Sequence, residues 1–440
     1  MVEPQRGGVS RRVFLAGAAG VAGVASSSMA LVACSGEDDR ETASRALTES
    51  TIAFDGAHQA GIQTTTQANL NLVGFNLKDG VKVDGLRRLM RLWTEDAREL
   101  VSGRNPLSSL EPEMVDKPAN LTITCGLGER IFDVAAPESK PAWLHDIESM
   151  PREKLVPEWG QTDIVLQICS DDPMVCAWVM RHMTRAGMDY VKTAWVQQGF
   201  MNAYGNIPKG QTPRNLFGQV DGTVNPHSDD EFAEQVFHED GSSSLVVRRI
   251  AMDLDDWERL DRASREESVG RRLSDGAPLT GDSEFDKPDL DAIDEYGLPV
   301  IDRNSHMARA MPPKDHPEQR FLRRPYNYNL PPDPNSKGLS NAGLVFLTFQ
   351  KDPDIQFTPV LRRLLEMDRL NEWTTHIGSA VYWVPPGTVE PGSGNSGDTY
   401  WGEAVLSGTR GVESLSTGVR LRRRDSEQHD GVASRYDAAQ

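Results

Sequence analysis

The residues best placed to do chemistry in this 440-residue chain are an acid in a glycine turn, one histidine and an arginine pair. Asp221 lies in Phe217-Gly218-Gln219-Val220-Asp221-Gly222-Thr223. A carboxylate held in such a stiff loop can take a proton from the near oxygen of a peroxide and return it to the leaving oxygen, provided that its pKa suits the working pH. Asp-Gly is also the commonest turn dipeptide, and out of context Asp221-Gly222 reads as a solvated turn. His306, in Ser305-His306-Met307-Ala308-Arg309, is one of nine histidines. As an iron ligand it would need a carboxylate on its other ring nitrogen. Asp289 and Asp291, in the preceding loop, are the expected acids, and the sequence does not choose between them. Arg323-Arg324 supplies a permanently protonated guanidinium, which stabilises the charge that develops as an O–O bond breaks. Leu344 and Phe346, on the next strand, are expected to line the apolar part of such a cavity, a role that sequence alone does not separate from core packing.

The elements that must position these residues show an internal echo. Residues 163–173, an apolar strand closed by Asp172-Pro173, precede an amphipathic run over 174–185; residues 343–353 repeat this, closed by Asp352-Pro353 and followed by apolar residues at helical spacing over 357–367. A second echo pairs the strand at Leu70 and the helix of 86–100 with the strand at Leu245 and the helix of 255–266. Two halves in strand-helix-strand order predict an α+β fold of duplicated ferredoxin-like domains, with antiparallel sheets and peripheral helices. The expected boundaries are 52–214 and 215–420, with a flexible tail over 421–440. Gly and Pro cluster in 280–299 and 331–341, marking long loops on either side of His306.

A net charge of −18 and the lack of any long basic run in the body argue against a nucleic-acid partner and for a small molecule. The first 34 residues read as a targeting segment. Ser10-Arg11-Arg12-Val13-Phe14-Leu15 precedes a weakly apolar Ala/Gly/Val run, the pattern of a Tat-type export signal, which carries folded proteins. Leu31-Val32-Ala33-Cys34 is similar to a lipobox, so Cys34 is an expected lipid anchor, and 35–51 reads as a polar tether. Localisation in the cell envelope or outside the cell follows. The other cysteines, Cys125, Cys169 and Cys176, allow at most one disulfide and show no zinc-like spacing.

Together these stretches resemble a known family, the dye-decolourising (DyP-type) haem peroxidases, and in particular their exported iron-uptake or deferrochelatase branch. The likeness runs from Phe54-Asp55-Gly56-Ala57-His58 to Ala380-Val381-Tyr382-Trp383-Val384-Pro385-Pro386-Gly387. Between them it takes in Gly126 and Gly128, Gly218 to Thr223, Gly270-Arg271-Arg272, Ser305-His306 and Leu322-Arg323-Arg324-Pro325-Tyr326. The resemblance implies one haem b per chain, wedged between the ferredoxin-like halves. It implies Asp221 as distal acid/base, His306 as proximal iron ligand and Arg323, the first of its pair, as distal arginine. Arg271, Arg309 and Arg324 are implied as further cofactor contacts; Arg271 fits the Gly-Arg element, whereas Arg309 stands one place beyond the family's usual arginine. The implied activity is reduction of hydrogen peroxide through an oxoferryl intermediate with oxidation of phenols, dyes or metal ions. The alternatives are iron release from haem or ferrous-iron oxidation in iron uptake, and haem binding without turnover. Association into homo-oligomers is implied by the family alone. Tyr326, Tyr328, Trp383 and Trp401 are candidate electron relays.

Overall fold

Two strands of this chain, Thr122–Leu127 and Ile164–Ser170, are buried at every position, and the reason is that both of their faces are covered. Ile164–Ser170 leaves none of its seven residues exposed, the pattern of a sheet packed between layers. In the computed structural model, which describes residues 47–408 apart from 209–210, 333 and 335–337, the first group of elements is β1 (Asn69–Leu77), α1 (Val83–Val101), β2 (Thr122–Leu127), β3 (Ile164–Ser170), α2 (Pro173–Ala186) and β4 (Val191–Phe200). All pairings are antiparallel, in the order β2-β3-β1-β4. The second group is β5 (Ser243–Met252), α3 (Arg262–Val269), α4 (His306–Ala310), β6 (Leu322–Arg323), β7 (Tyr326–Leu330), β8 (Asn341–Gln350), α5 (Thr358–Met367) and β9 (Thr374–Val384). Here β9-β5-β8-β7 repeats the same order. Among the described residues, the two sheets touch in hydrogen-bonding register only at Leu127↔Trp383 and Phe200↔Asn327.

Both halves therefore have the ferredoxin-like arrangement; the expected echoes are the pairs β3–α2 with β8–α5 and β1–α1 with β5–α3, except that the helix expected over 255–266 is two short ones, Leu254–Trp257 and α3, each begun by a capping aspartate, Asp253 and Asp261. The Asp-Pro that closes each strand has a local cause. Asp172 accepts from the Met174 N–H and Asp352 from those of Asp354 and Ile355, while the following proline occupies a first-turn position that needs no donor.

Leu70, Leu72, Val165 and Cys169 of the first sheet meet Leu245, Val247, Val345, Leu347 and Phe349 of the second in one buried cluster. A separate cluster lies under the helices, around Trp93, Leu86, Val179 and Met183, and reaches Leu361 and Leu365 of α5. The outer face of the second sheet carries a third, smaller cluster in which Leu344 and Phe346 meet Phe217, Trp257 and Leu370. The candidate residues gather there.

The first and last matching motifs of the sequence meet in space. Gly56 donates its N–H to Thr388 O, Gly387 to Ala57 O, and His58 bridges to Pro386. A Cβ on Gly387 would come within 2.2 Å of Gly56 O, so only glycine fits. Asp55 anchors the junction, taking both Arg98 Nε at 2.8 Å and Nη2 at 2.9 Å and the Thr388 hydroxyl at 2.6 Å. Thr48 and Ser50, at the end of the expected tether, are already part of the fold, since their carbonyls accept from the N–H groups of Ala119 and Asn120. Residues 1–46 and 409–440, which carry the expected signal, lipobox and flexible tail, lie outside the described residues.

Burial raises the Asp55 pKa, but the Arg98 and Thr388 hydrogen bonds and the Arg98 charge outweigh it and leave the group below its ordinary value. A depressed carboxylate stabilises the fold above its unfolded pKa of about 3.9, and that contribution disappears as pH falls through the folded value. Asp55→Asn is expected to lower stability by about 1–3 kcal/mol at pH 7, as for loss of a hydrogen bond to a charged group. In urea titrations the gap between wild type and variant should close as the pH is taken from 5 to below about 3.9; a gap constant over that range would exclude the ion pair as its source.

Candidate functional site

The Asp221 loop is built by its glycines and by backbone hydrogen bonds. Gly218 (φ 79°) and Gly222 (φ 129°) take left-handed conformations that other residues rarely adopt. Asp221 N–H donates to Pro213 O at 2.9 Å, and Asn215 and Gln219 close the turn. The loop is thus a fixed bracket. Asp221 is largely enclosed, with side-chain exposure of 11%. Its Oδ2 accepts from Asn215 Nδ2 at 3.3 Å. Its Oδ1 lies 3.1 Å from Arg323 Nη1 but has no aligned hydrogen-bond partner. A buried carboxylate oxygen beside a cation and without a donor is free to accept a proton from a third party.

Arg323 reaches Asp221 because β6 is clamped to the same loop. Asn225 Nδ2 donates to Arg323 O at 2.7 Å, and Asn225 Oδ1 accepts from Arg323 N–H at 2.9 Å. Asn225 stands two residues beyond Gly222-Thr223, and sequence reasoning passed over it. A short polar residue after the acid motif was the only signal.

His306 is the first residue of α4, which Ser305 caps by accepting from Ala308 N–H. The carboxylate on its Nδ1 is neither Asp289 nor Asp291 but Asp368, at 2.6 Å. The expected acids are exposed members of a loop in which Asp289 N–H donates to Thr280 and Asp291 N–H to Asp289. Asp368 comes from the far end of α5, and only tertiary packing brings it in. Its Oδ1 accepts from Leu370 N–H at 2.9 Å, so the same carboxylate caps the turn that follows. That turn is tied back to the histidine loop, Arg369 N–H to Asn304 O and Arg369 Nη1 to Asp302 Oδ2.

Burial pulls the His306 pKa down, but the Asp368 charge and hydrogen bond outweigh it and leave the ring above its ordinary value. The charges of Arg323 and Asp221 also act on His306, which puts ring, acid and arginine around one space. His306 lies deep in the molecule yet keeps a third of its side-chain surface open. Its Nδ1 is engaged, and among the described residues Nε2 has no hydrogen-bond partner. Leu344 and Phe346, expected from sequence either to line a cavity or to pack in the core, pack with Phe217, Ile250 and Leu370.

Arg271 is buried, and its Nη1 donates to Gly276 O and Glu284 O. Burial, with Arg323 as neighbouring charge, pulls its pKa below the ordinary arginine range. Two other expected cofactor contacts turn elsewhere. Arg309 gives Nε and Nη2 to Arg363 O and pairs with Glu366 at 3.0 Å, because α4 leans on α5. Arg324 points to the opposite side of its strand from Arg323 and is buried against Thr64, Thr66 and Gln67. The aromatics considered as relays, Tyr326, Tyr328, Trp383 and Trp401, are all buried.

Residues 59–201 match the family model of the Dyp-type peroxidase N-terminal part, and residues 212–389 that of the C-terminal part. A dye-decolorizing peroxidase from Thermobifida fusca is 33% identical over 88% of this chain and 96% of its own length. The Escherichia coli deferrochelatase is 31% identical over 80% of this chain and 86% of its own. Among solved structures, a DyP-type peroxidase from Cellulomonas bogoriensis superposes with a TM-score of 0.77 at 41% identity, covering 82% of this chain and 99% of that one. Ferric DtpA from Streptomyces lividans does so with a TM-score of 0.77 at 32% identity, covering 82% and 99%. With its acid beside its arginine, both within electrostatic reach of the histidine, its two ferredoxin-like halves and these matches along nearly all of its described length, the chain belongs to the Dyp-type peroxidase family.

Proposed function

We propose that this oxidoreductase holds one haem b on His306 and uses Asp221 and Arg323 to reduce hydrogen peroxide. The observation that carries the reading is the buried, unpartnered Oδ1 of Asp221 beside Arg323, within electrostatic reach of a histidine whose Nδ1 is fixed by Asp368. The donor set fits the group. An imidazole with Nε2 open and a carboxylate behind it is the ligand that a peroxidase iron takes. The flanking Leu344, Phe346 and Ile250 offer an apolar wall, and Arg271 is a nearby cation for a haem carboxylate.

Haem, when bound, would supply the iron that binds peroxide and the two electrons that reduce it, which donors later replace. The rest is done by side chains of the chain itself. Asp221 Oδ1 takes the proton of the near peroxide oxygen and passes it to the far one, which then leaves as water. Arg323 holds the negative charge that builds on the departing oxygen. Asp368 holds the His306 tautomer with the proton on Nδ1, leaving the Nε2 lone pair for a metal.

Phenols, dyes or metal ions are the proposed donors. The similarity to a protein named deferrochelatase favours a second reading, in which iron is released from haem. Analysis of the porphyrin after turnover separates the two, since release would leave an intact iron-free tetrapyrrole. Export by the Tat route, with Cys34 lipidated, is proposed on the arginine pair Arg11-Arg12 and the lipobox-like Leu31-Val32-Ala33-Cys34.

The visible spectrum before and after one equivalent of peroxide tests the reading. The purified, haem-reconstituted protein should show a Soret band that changes within the mixing time; no Soret band would overturn it. His306→Ala should lose haem on gel filtration. Asp221→Ala should keep haem and react with peroxide about 10²–10⁴-fold more slowly in stopped flow, and Arg323→Leu about 10²–10³-fold. An Arg323→Leu enzyme of wild-type speed would remove that residue from the scheme. Asn225→Ala, which removes both hydrogen bonds on the Arg323 backbone, should cost about 1–2 kcal/mol in urea unfolding and slow the peroxide step without loss of haem.

A further inference from the structure

The sheet face that carries Leu344 and Phe346 holds a second polar group, which the peroxide chemistry does not use. Arg248 is paired in register with Phe346 on one side and Ser379 on the other, and Ile250 with Leu344 and His376. Directly opposed residues point to the same face, so Arg248, His376 and Ser379 stand beside Leu344 and Phe346. Arg248 is buried, and each of its three side-chain nitrogens has a partner. Nη2 pairs with Glu153 Oε1, neither side chain having any exposed surface. Nη1 donates to Ser379 Oγ at 2.6 Å, and Nε donates to His376 Nδ1 at 3.3 Å. Glu153 comes from the other half of the chain, where its second oxygen accepts from Met150 N–H. The His376 backbone is held as well, its carbonyl accepting from Lys154 N–H.

This arrangement fixes the His376 tautomer. An arginine N–H can only donate, so Nδ1 must be the nitrogen with the lone pair. Burial, with the charges of Arg248 and His306, pulls the His376 pKa down to about 3, so the ring is neutral. Its single N–H therefore sits on Nε2, and no described residue is recorded as its acceptor. His376 lies deep, near enough to His306 for their charges to interact, and still keeps part of its surface open. A fixed N–H in an otherwise apolar wall costs free energy unless something accepts from it, and an anionic oxygen is its strongest acceptor.

We propose that His376 is a cofactor-positioning residue whose Nε2–H, fixed by the Glu153–Arg248 pair, donates to a carboxylate of the bound tetrapyrrole on the His306 side of the cavity. The proposal rests on the haem reading above and adds a contact that ties the seat of the cofactor, through Glu153, to the N-terminal half.

The test compares two ligands in the full-length protein, ferric protoporphyrin IX and its dimethyl ester, which has no carboxylate. Each is loaded, and its loss to excess apomyoglobin is followed at the Soret band. His376→Phe should lose protoporphyrin IX at least about ten-fold faster than wild type but lose the ester at an unchanged rate. His376→Gln, which restores an N–H donor, should recover most of the retention for the acid form. Equal acceleration for both ligands would reduce His376 to a packing role and overturn the proposal, as would no change for either. Should the Phe variant not fold, as judged by circular dichroism, Gln decides alone, because wild-type discrimination between acid and ester must survive in it. Failure of the wild type to take up either ligand would instead overturn the haem reading itself.

Discussion

The carboxylate of Asp368 is the contact on which the rest of the site depends. One oxygen holds His306 Nδ1 at 2.6 Å, and the other caps the turn over Arg369–Glu372. The group that orients the ring is therefore also the group that starts the next element, and neither can move without the other. Arg369 closes the arrangement by tying that turn to Asp302 and Asn304 in the histidine loop. A five-residue helix such as α4 has little stability of its own. Its position is imposed by this network and by the Arg309 contacts to α5.

The acid side is built on a different principle. Asp221 and Arg323 come from segments about a hundred residues apart, and each is rigid before they meet: the acid through its glycine turn, the arginine through the Asn225 clamp. The pair lies at 3.1 Å without hydrogen-bond alignment, so attraction holds the charges together while an acceptor lone pair remains free. A fully aligned bidentate pair would be a better structural ion pair and a poorer proton shuttle.

The sequence was legible wherever local pattern carried the information. The strand–Asp-Pro–helix units announced both halves because capping and proline chemistry act within a few residues. The motifs that carry the family resemblance single out Asp221, His306 and Arg323, and the fold brings Arg323 to 3.1 Å from Asp221. What could not be read was decided by packing across long separations. Asp368 is 62 residues from His306, and nothing around it differs from any acid at a helix end. Asp289 and Asp291 were nearer in sequence, but their loop is exposed. Arg324 and Arg309 were lost for a related reason: on a strand, adjacent side chains face opposite ways, and on a short helix the direction of a side chain follows whatever the helix leans on. The Glu153–Arg248–His376 group joins three remote segments and left no trace at all.

The central claim is that His306 and the Asp221–Arg323 pair lie on opposite faces of one bound haem. A crystal structure of the haem-loaded chain tests it most directly. The account predicts iron bonded to His306 Nε2, Asp368 still on Nδ1, and Asp221 and Arg323 over the other face. Iron bonded to any other side chain, or the acid and the ligand on the same face, would contradict it.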